Sequence, residues 1–173
     1  VAMMASVSPS AEAATNYSAK SFTVEVQGKG NPVIMIPGLM SDSRVWQQTA
    51  SELRKTHQLH LVSIAGFAGQ PAIEGALLPV VKTELLDYIK TQQLQRPAII
   101  GHSLGAFLAY DLASSAPDKI GKIIAVDGLP FLAPVFTRDP NSTVASVKAQ
   151  AEGIRNFYAQ RMFIGAQGIN AQF

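Results

Sequence analysis

One run constrains the fold of this chain more than any other: Pro97-Ala98-Ile99-Ile100-Gly101-His102-Ser103-Leu104-Gly105-Ala106. An apolar segment ends in Gly-His-Ser-Leu-Gly and passes at once into a helix-forming run, Ala106 to Ser115. That order predicts a strand, a sharp turn with Ser103 at its apex, and a helix. The flanking glycines have a steric reason. A serine in so tight a turn takes a strained backbone conformation, and side chains two residues before and after it would collide across the turn. The strain lifts the hydroxyl clear of the sheet at the amino end of the helix. There, backbone N–H groups and the helix dipole favour developing negative charge. The competing reading is a Gly-Ser turn with Ser103 as an ordinary helix cap; the matching strand before it and helix after it favour the first.

With 173 residues, 47% of them hydrophobic and 15% charged, the chain is long and apolar enough for one domain with a real core. The net charge of +2 and the lack of a Lys/Arg run argue against nucleic acid as a partner. There are no cysteines, which excludes a disulfide framework, a thiol nucleophile and a Cys-ligated metal. No apolar run reaches the ~18 residues of a membrane-spanning helix. The mildly apolar start, Val1 to Val7, with Ala11-Glu12-Ala13 behind it, reads either as a trimmed secretory signal or as a plain flexible leader. The first reading implies a periplasmic or secreted protein, the second a cytoplasmic one. Residues 1–18 are expected outside the folded core on both readings.

Strands and helices alternate from there. Phe22, Val24 and Val26 share one face of a half-buried strand near a sheet edge, and Pro32 to Ile36 is apolar on both faces, as in a central parallel strand. Ser41-Asp42-Ser43 caps a helix carrying Val45, Trp46, Ala50 and Leu53. Leu59–Ile64 is a strand ending in a Gly-rich loop, and Leu77–Gln95 an amphipathic helix with Leu78, Val81, Leu85, Tyr88 and Ile89 on its buried stripe. A last strand, Ile120–Val126, ends at Asp127-Gly128. The fold expected is α/β, a mostly parallel sheet with right-handed crossovers and helices on both faces. Residues 19–130 form its core. From 131 to 173 the character changes: Pro130, Pro134 and Pro140 break the chain, Ser142 to Tyr158 reads as a helix, and the stretch reads as the start of a helical cap or lid, or as ordinary helical packing.

A serine hydroxyl becomes a useful nucleophile only when a base takes its proton, so acyl transfer needs a histidine, a carboxylate behind it, and donors for the tetrahedral oxyanion. Ser103 is the candidate nucleophile. The donors expected are the N–H of Leu104, directly after it, and the N–H of Leu39 in the loop after the Val33–Ile36 strand. Gly38 lets that second backbone approach closely. Nothing in the sequence clusters His and acidic residues for a metal, and no cofactor is implied.

On Ile36-Pro37-Gly38-Leu39-Met40, Gly66-Phe67-Ala68-Gly69, Gly101-His102-Ser103-Leu104-Gly105 and Val126-Asp127-Gly128, the chain resembles the amino-terminal portion of the α/β-hydrolase fold family, of the kind with a cap after the sixth strand. The match runs from about Phe22 to Phe131. The resemblance implies a Ser–His–Asp hydrolase acting without cofactor on a small-molecule ester, thioester or amide, through an acyl-enzyme. Two positions depart from the family: Pro37 precedes Gly38 where members often carry His, and Ala65 stands where many have Asp. The larger departure is that none of the three histidines, His57, His60 and His102, follows Ser103, where the family places its base. His57 and His60 fall around the start of a strand, at the far end of the sheet, and read as surface or strand-end residues. His102 reads as a packing residue with its side chain turned from the hydroxyl. Asp127 reads as an Asp-Gly turn closing its strand, or as the triad acid that some relatives place there.

The chain therefore reads as stopping before the family's last strands, with Ile120–Val126 left as an uncovered apolar edge. A carboxy-terminal piece of the same protein is expected to cover that edge and complete the triad, or a second copy to cover the edge. The alternative is a catalytically incomplete hydrolase scaffold that binds a ligand or partner.

Overall fold

The structure is a computed structural model that describes residues 17–131, 133–149 and 152–153. Five strands, β1 (Phe22–Gln27), β2 (Asn31–Ile36), β3 (His57–Ile64), β4 (Ala98–His102) and β5 (Ile123–Val126), form one sheet in the order β1-β3-β2-β4-β5. β1 runs antiparallel to β3, with Phe22 opposite Ile64, and every other pairing is parallel. The sheet edges are thus β1 and β5.

Side-chain alternation along the inner strands sorts the core into two layers. Ile34 and Ile36 of β2, Val62 and Ile64 of β3 and Ile99 of β4 pack under α2 (Leu77–Thr91) and α3 (Leu104–Ser115), which contribute Val81, Leu85, Ile89, Leu108 and Leu112. Val33, Met35, Leu59, Leu61 and Ile100 face the other way. Trp46 and Ala50 meet them, from a 3-10 turn (Ser43–Trp46) and from α1 (Gln47–Leu53). Asp42 caps that turn through the Arg44 N–H, as expected from its place in Ser-Asp-Ser.

Three boundaries differ from the sequence pattern. α2 stops at Thr91, not Gln95, because Gln93 takes φ +53° and closes the helix: Leu94 N–H bonds to Ile89 O and Gln93 N–H to Lys90 O. The last strand begins at Ile123; Ile120 is buried ahead of it, and Gly121 N–H bonds to Pro97 O. Pro134 does not prevent α4 (Ala133–Thr137), since a proline is tolerated in the first helical turn, where N–H groups lack intrahelical acceptors anyway.

The chain divides into two compact units, Val1–Pro130 and Phe131–Phe173. In the second, Thr143 and Ser146 cap each other reciprocally and start a helix over residues 144–149. The expected leader up to residue 16 and the helical stretches after 153 lie outside the described residues.

β1 is tied to α2 by a single carboxylate. Glu84 accepts from Lys20 N–H, Ser21 N–H (2.9 Å) and Ser21 Oγ–H (2.6 Å), and Tyr17 Oη donates to the Glu84 carbonyl. Burial raises the pKa of this carboxyl, but the bonds from Ser21 and Lys20 outweigh it and hold the group below its usual value. Glu84→Ala strands the fully buried Ser21 hydroxyl, and an equilibrium urea titration is expected to show a loss of about 2 kcal/mol.

Candidate active site

The carboxyl ends of β2, β4 and β5 lie side by side, with Ile36 in register with Gly101 and His102 with Val126. Three loops therefore leave the sheet together: Pro37–Met40, Ser103, and Asp127-Gly128. Ser103 sits between β4 and α3 with φ 51° and ψ −110°, a conformation that costs a non-glycine residue of order 1–3 kcal/mol. Its own backbone is well anchored. Ser103 N–H donates to Val126 O at 2.9 Å, and its carbonyl accepts from Ala106 N–H and Phe107 N–H. No side-chain capping bond is made by Ser103. Ser103 thus holds the N-cap position of α3 without capping it through its side chain.

The glycines around it are pressed against backbone. A Cβ on Gly101 would sit 2.2 Å from Gly105 O, the collision across the turn that the motif implies. One on Gly105 would meet not Gly101 but β2, 2.2 Å from Ile36 O and 2.8 Å from Pro37 O. Gly38 faces side chains instead, since a Cβ there would lie 3.3 Å from Ser103 Cβ and 2.8 Å from His102 Nδ1. The Pro37–Leu39 backbone thus passes directly beside the serine. Ser41 closes the turn behind it, with its hydroxyl donating to Gly38 O at 2.9 Å. Leu39 follows Gly38 immediately, and Leu104 opens α3, where a first-turn N–H has no acceptor within the helix.

Gly128 completes the cluster on the third side. A Cβ there would fall 2.4 Å from Ala106 Cβ and 2.9 Å from Ser103 O. Asp127 stands next to it, exposed, with φ 47°. The sequence signal for this contact is the Asp-Gly pair at a strand end, which by itself reads only as a turn.

The alpha/beta hydrolase family pattern matches residues 33–169. The chain belongs to the alpha/beta hydrolase family. Among the chain's relatives is the biotin biosynthesis bifunctional protein BioHC of Cellvibrio japonicus (strain Ueda107). It is 34% identical over 148 residues, which cover 79% of this chain and 27% of that protein. Esterase YbfF of Escherichia coli (strain K12) is 25% identical over 152 residues, 87% of this chain and 58% of the relative. A solved structure, a marine microorganism esterase, superposes with a TM-score of 0.56 at 28% identity, over 61% of this chain and 41% of that one. The chain thus spans less than two thirds of each.

The three histidines of this hydrolase are arranged as follows. His57 begins β3 opposite Asn31, at the far end of the sheet from the serine, and its Nδ1 lies 2.9 Å from Thr56 Oγ1. His60 is not a surface residue as its position suggested. It is 2% exposed under α2, with Nδ1 2.7 Å from Tyr88 Oη. Its place beside Ile34 and Val62 in the apolar half of β3 is the sequence signal for that burial. His102 has its ring against Gly38. Among the described residues, none of the three hydrogen-bonds to Ser103. No described helix is long and apolar enough to cross a membrane.

Proposed function

We propose that this chain carries the nucleophile half of a serine hydrolase acting on carboxylic esters or closely related acyl compounds. The observation that supports this most is the backbone of Ser103, held at φ 51° and ψ −110° between confined glycines at the head of α3. A conformation that unfavourable persists only where the surroundings enforce it, and such strain gathers at reactive groups. The Ser103 oxygen attacks the acyl carbon, its proton passes to a base, and the carbonyl oxygen becomes an oxyanion. Leu104 N–H and Leu39 N–H are the donors for that charge, worth roughly 3 kcal/mol each in related chemistry. The alcohol leaves, and water releases the acid from Ser103.

The base we assign to a histidine outside these 173 residues: His57 and His60 hydrogen-bond to Thr56 and Tyr88, and none of the three described histidines bonds to Ser103; Asp127 is a candidate for the acid behind it. The open β5 edge is where the segment carrying that histidine docks, or where a second copy covers the sheet. Esterases among the relatives favour an ester over an amide. Leu39 (59% exposed) and Met40 (77%) offer an apolar rim for the acyl or alkyl group of a small-molecule substrate. The absence of a histidine from the serine also suits a binding scaffold without catalysis. A fluorophosphonate probe separates the two. Labelling mapped to Ser103 by mass spectrometry, and lost in Ser103→Ala, is expected in the protein supplied with its histidine-bearing portion. Intact mass without adduct, beside a labelled control esterase, would leave only the scaffold.

A further inference from the structure

A groove of about 620 Å³ lies at the amino ends of β2 to β5, the pole of the sheet opposite Ser103. Its lining includes Arg96, Lys122 and His57 around an apolar floor of Pro32, Val33 and Ala98, and it contains no carboxylate. Three cations elsewhere are paired with carboxylates: Arg44 with Asp42, Lys55 with Glu52 and Lys82 with Asp111. Arg96 and Lys122 form no ion pair with a carboxylate among the described residues.

The backbone segments that carry these two cations are held side by side. Gly121 N–H bonds to Pro97 O at 2.9 Å and Ile99 N–H to Lys122 O at 2.9 Å, so a short ladder ties the segment of one to the segment of the other. A Cβ on Gly121 would fall 2.4 Å from Arg96 O, which shows how closely the two backbones approach. Arg96 itself takes φ 46°, outside the range a side-chain-bearing residue prefers. The backbone beneath the charges is thus already ordered before any ligand arrives, which lowers the entropic cost of binding. Asn31 and Gln95, also in the lining, add neutral hydrogen-bonding groups.

We propose that this groove is a second binding site, separate from Ser103, for a small organic anion: a carboxylate or phosphate on a short apolar or aromatic body. Arg96 and Lys122 take the anionic oxygens, Arg96 with its planar fork and Lys122 as a point charge. Pro32, Val33 and Ala98 take the apolar part. The anion is either a free metabolite or a group presented at a membrane surface, and the groove's volume and apolar floor favour the first.

The test is an amide chemical-shift titration of the 173-residue chain with phenyl phosphate, compared with inorganic phosphate and with phosphatidylglycerol vesicles. Phenyl phosphate is expected to give saturable shifts at Asn31, His57, Arg96 and Lys122 and none at Ser103. Inorganic phosphate is expected to bind more weakly, because it leaves the floor uncovered. Lys122→Gln and Arg96→Asn are each expected to weaken binding about tenfold. Asparagine suits the second site because it tolerates the left-handed backbone, and Lys122→Gln on an exposed position keeps the test independent of folding. Equal binding by parent and variants, shifts spread linearly over lysines at large, or vesicle binding without saturation by phenyl phosphate would each overturn the proposal. None of these results bears on the reactivity of Ser103.

Discussion

Gly105→Ala is expected to cost about 3 kcal/mol or more, enough to unfold much of the chain at room temperature. The added methyl falls 2.2 Å from Ile36 O and 2.7 Å from Ile36 C, both backbone atoms of a central strand. Neither can turn aside as a flexible side chain would. Relief requires α3 to back away from β2, which opens the layer where Leu108 and Leu112 meet Ile34 and Ile36. Gly69→Ala is the control. Gly69 has φ +87° and no atom within 4 Å of an added Cβ, so its substitution carries only the conformational penalty, about 1 kcal/mol. Urea midpoints for the two variants separate collision from backbone strain. Equal losses would show that α3 does not press on β2 as described. Gly101→Ala belongs with the costly one, since its methyl meets Gly105 O at 2.2 Å.

Acidification from pH 6.5 to 4 is expected to remove about 3 kcal/mol of stability through His60 alone. Burial pulls the His60 pKa down from 6.5 to about 4, and the ring sits where a charge has no anionic partner among its described neighbours. Tyr88, from α2, is the hydrogen-bonding neighbour at 2.7 Å, and its own pKa is pushed up to about 12 by burial. Gln58, on the same strand, approaches Nε2 at 3.4 Å. Tyr17 stacks edge-on against Tyr88, and Val26 and Ile34 flank His60 on the adjoining strands. This set suits the neutral ring, with Nδ1 accepting from the Tyr88 hydroxyl and the proton on Nε2. The sign follows from where the proton binds first. Below pH 6.5 the unfolded chain takes up a proton at His60 and the folded chain does not, so stability is complete above that pH and falls until about pH 4. The carboxylates of Asp42 and Glu84 have lowered pKa values, so their contributions are lost as the pH falls from the ordinary values of 3.8 and 4.5, and the loss through Glu84 begins at the acid end of this window. His60→Gln is expected to flatten the loss between pH 7 and pH 4.5, read by urea unfolding at each pH. A variant that loses as much as the parent would remove His60 from the explanation.

Much of this hydrolase core was legible because its signals are local. The two-faced apolar run of β2, the Asp42 cap, the stripe through Val81, Leu85, Tyr88 and Ile89, and the turn at Ser103 each depend on residues close together in the chain. Gly101 facing Gly105 is a four-residue relation and could be anticipated; Gly105 facing Ile36 is not, because it depends on which strand lies beside β4. The same limit hid the role of Gly128 and the burial of His60. A histidine between Leu59 and Leu61 alternates to the face that α2 covers, but only the pairing of β3 with β1 and β2 fixes that face as interior. The basic groove was invisible for a related reason. Arg96 and Lys122 are 26 residues apart in number and adjacent only through the Pro97–Gly121 and Ile99–Lys122 bonds.

Among the described residues β5 has one strand neighbour, β4, and Ile124 on one of its faces is 53% exposed. Yet it is Val126, at the end of this border strand, that receives the amide of Ser103, and Gly128 beyond it that touches the serine carbonyl. The strained turn at Ser103 thus leans on an edge strand. On the serine chemistry proposed above, a reagent specific for Ser103 would double as a gauge of whether that margin has been sealed.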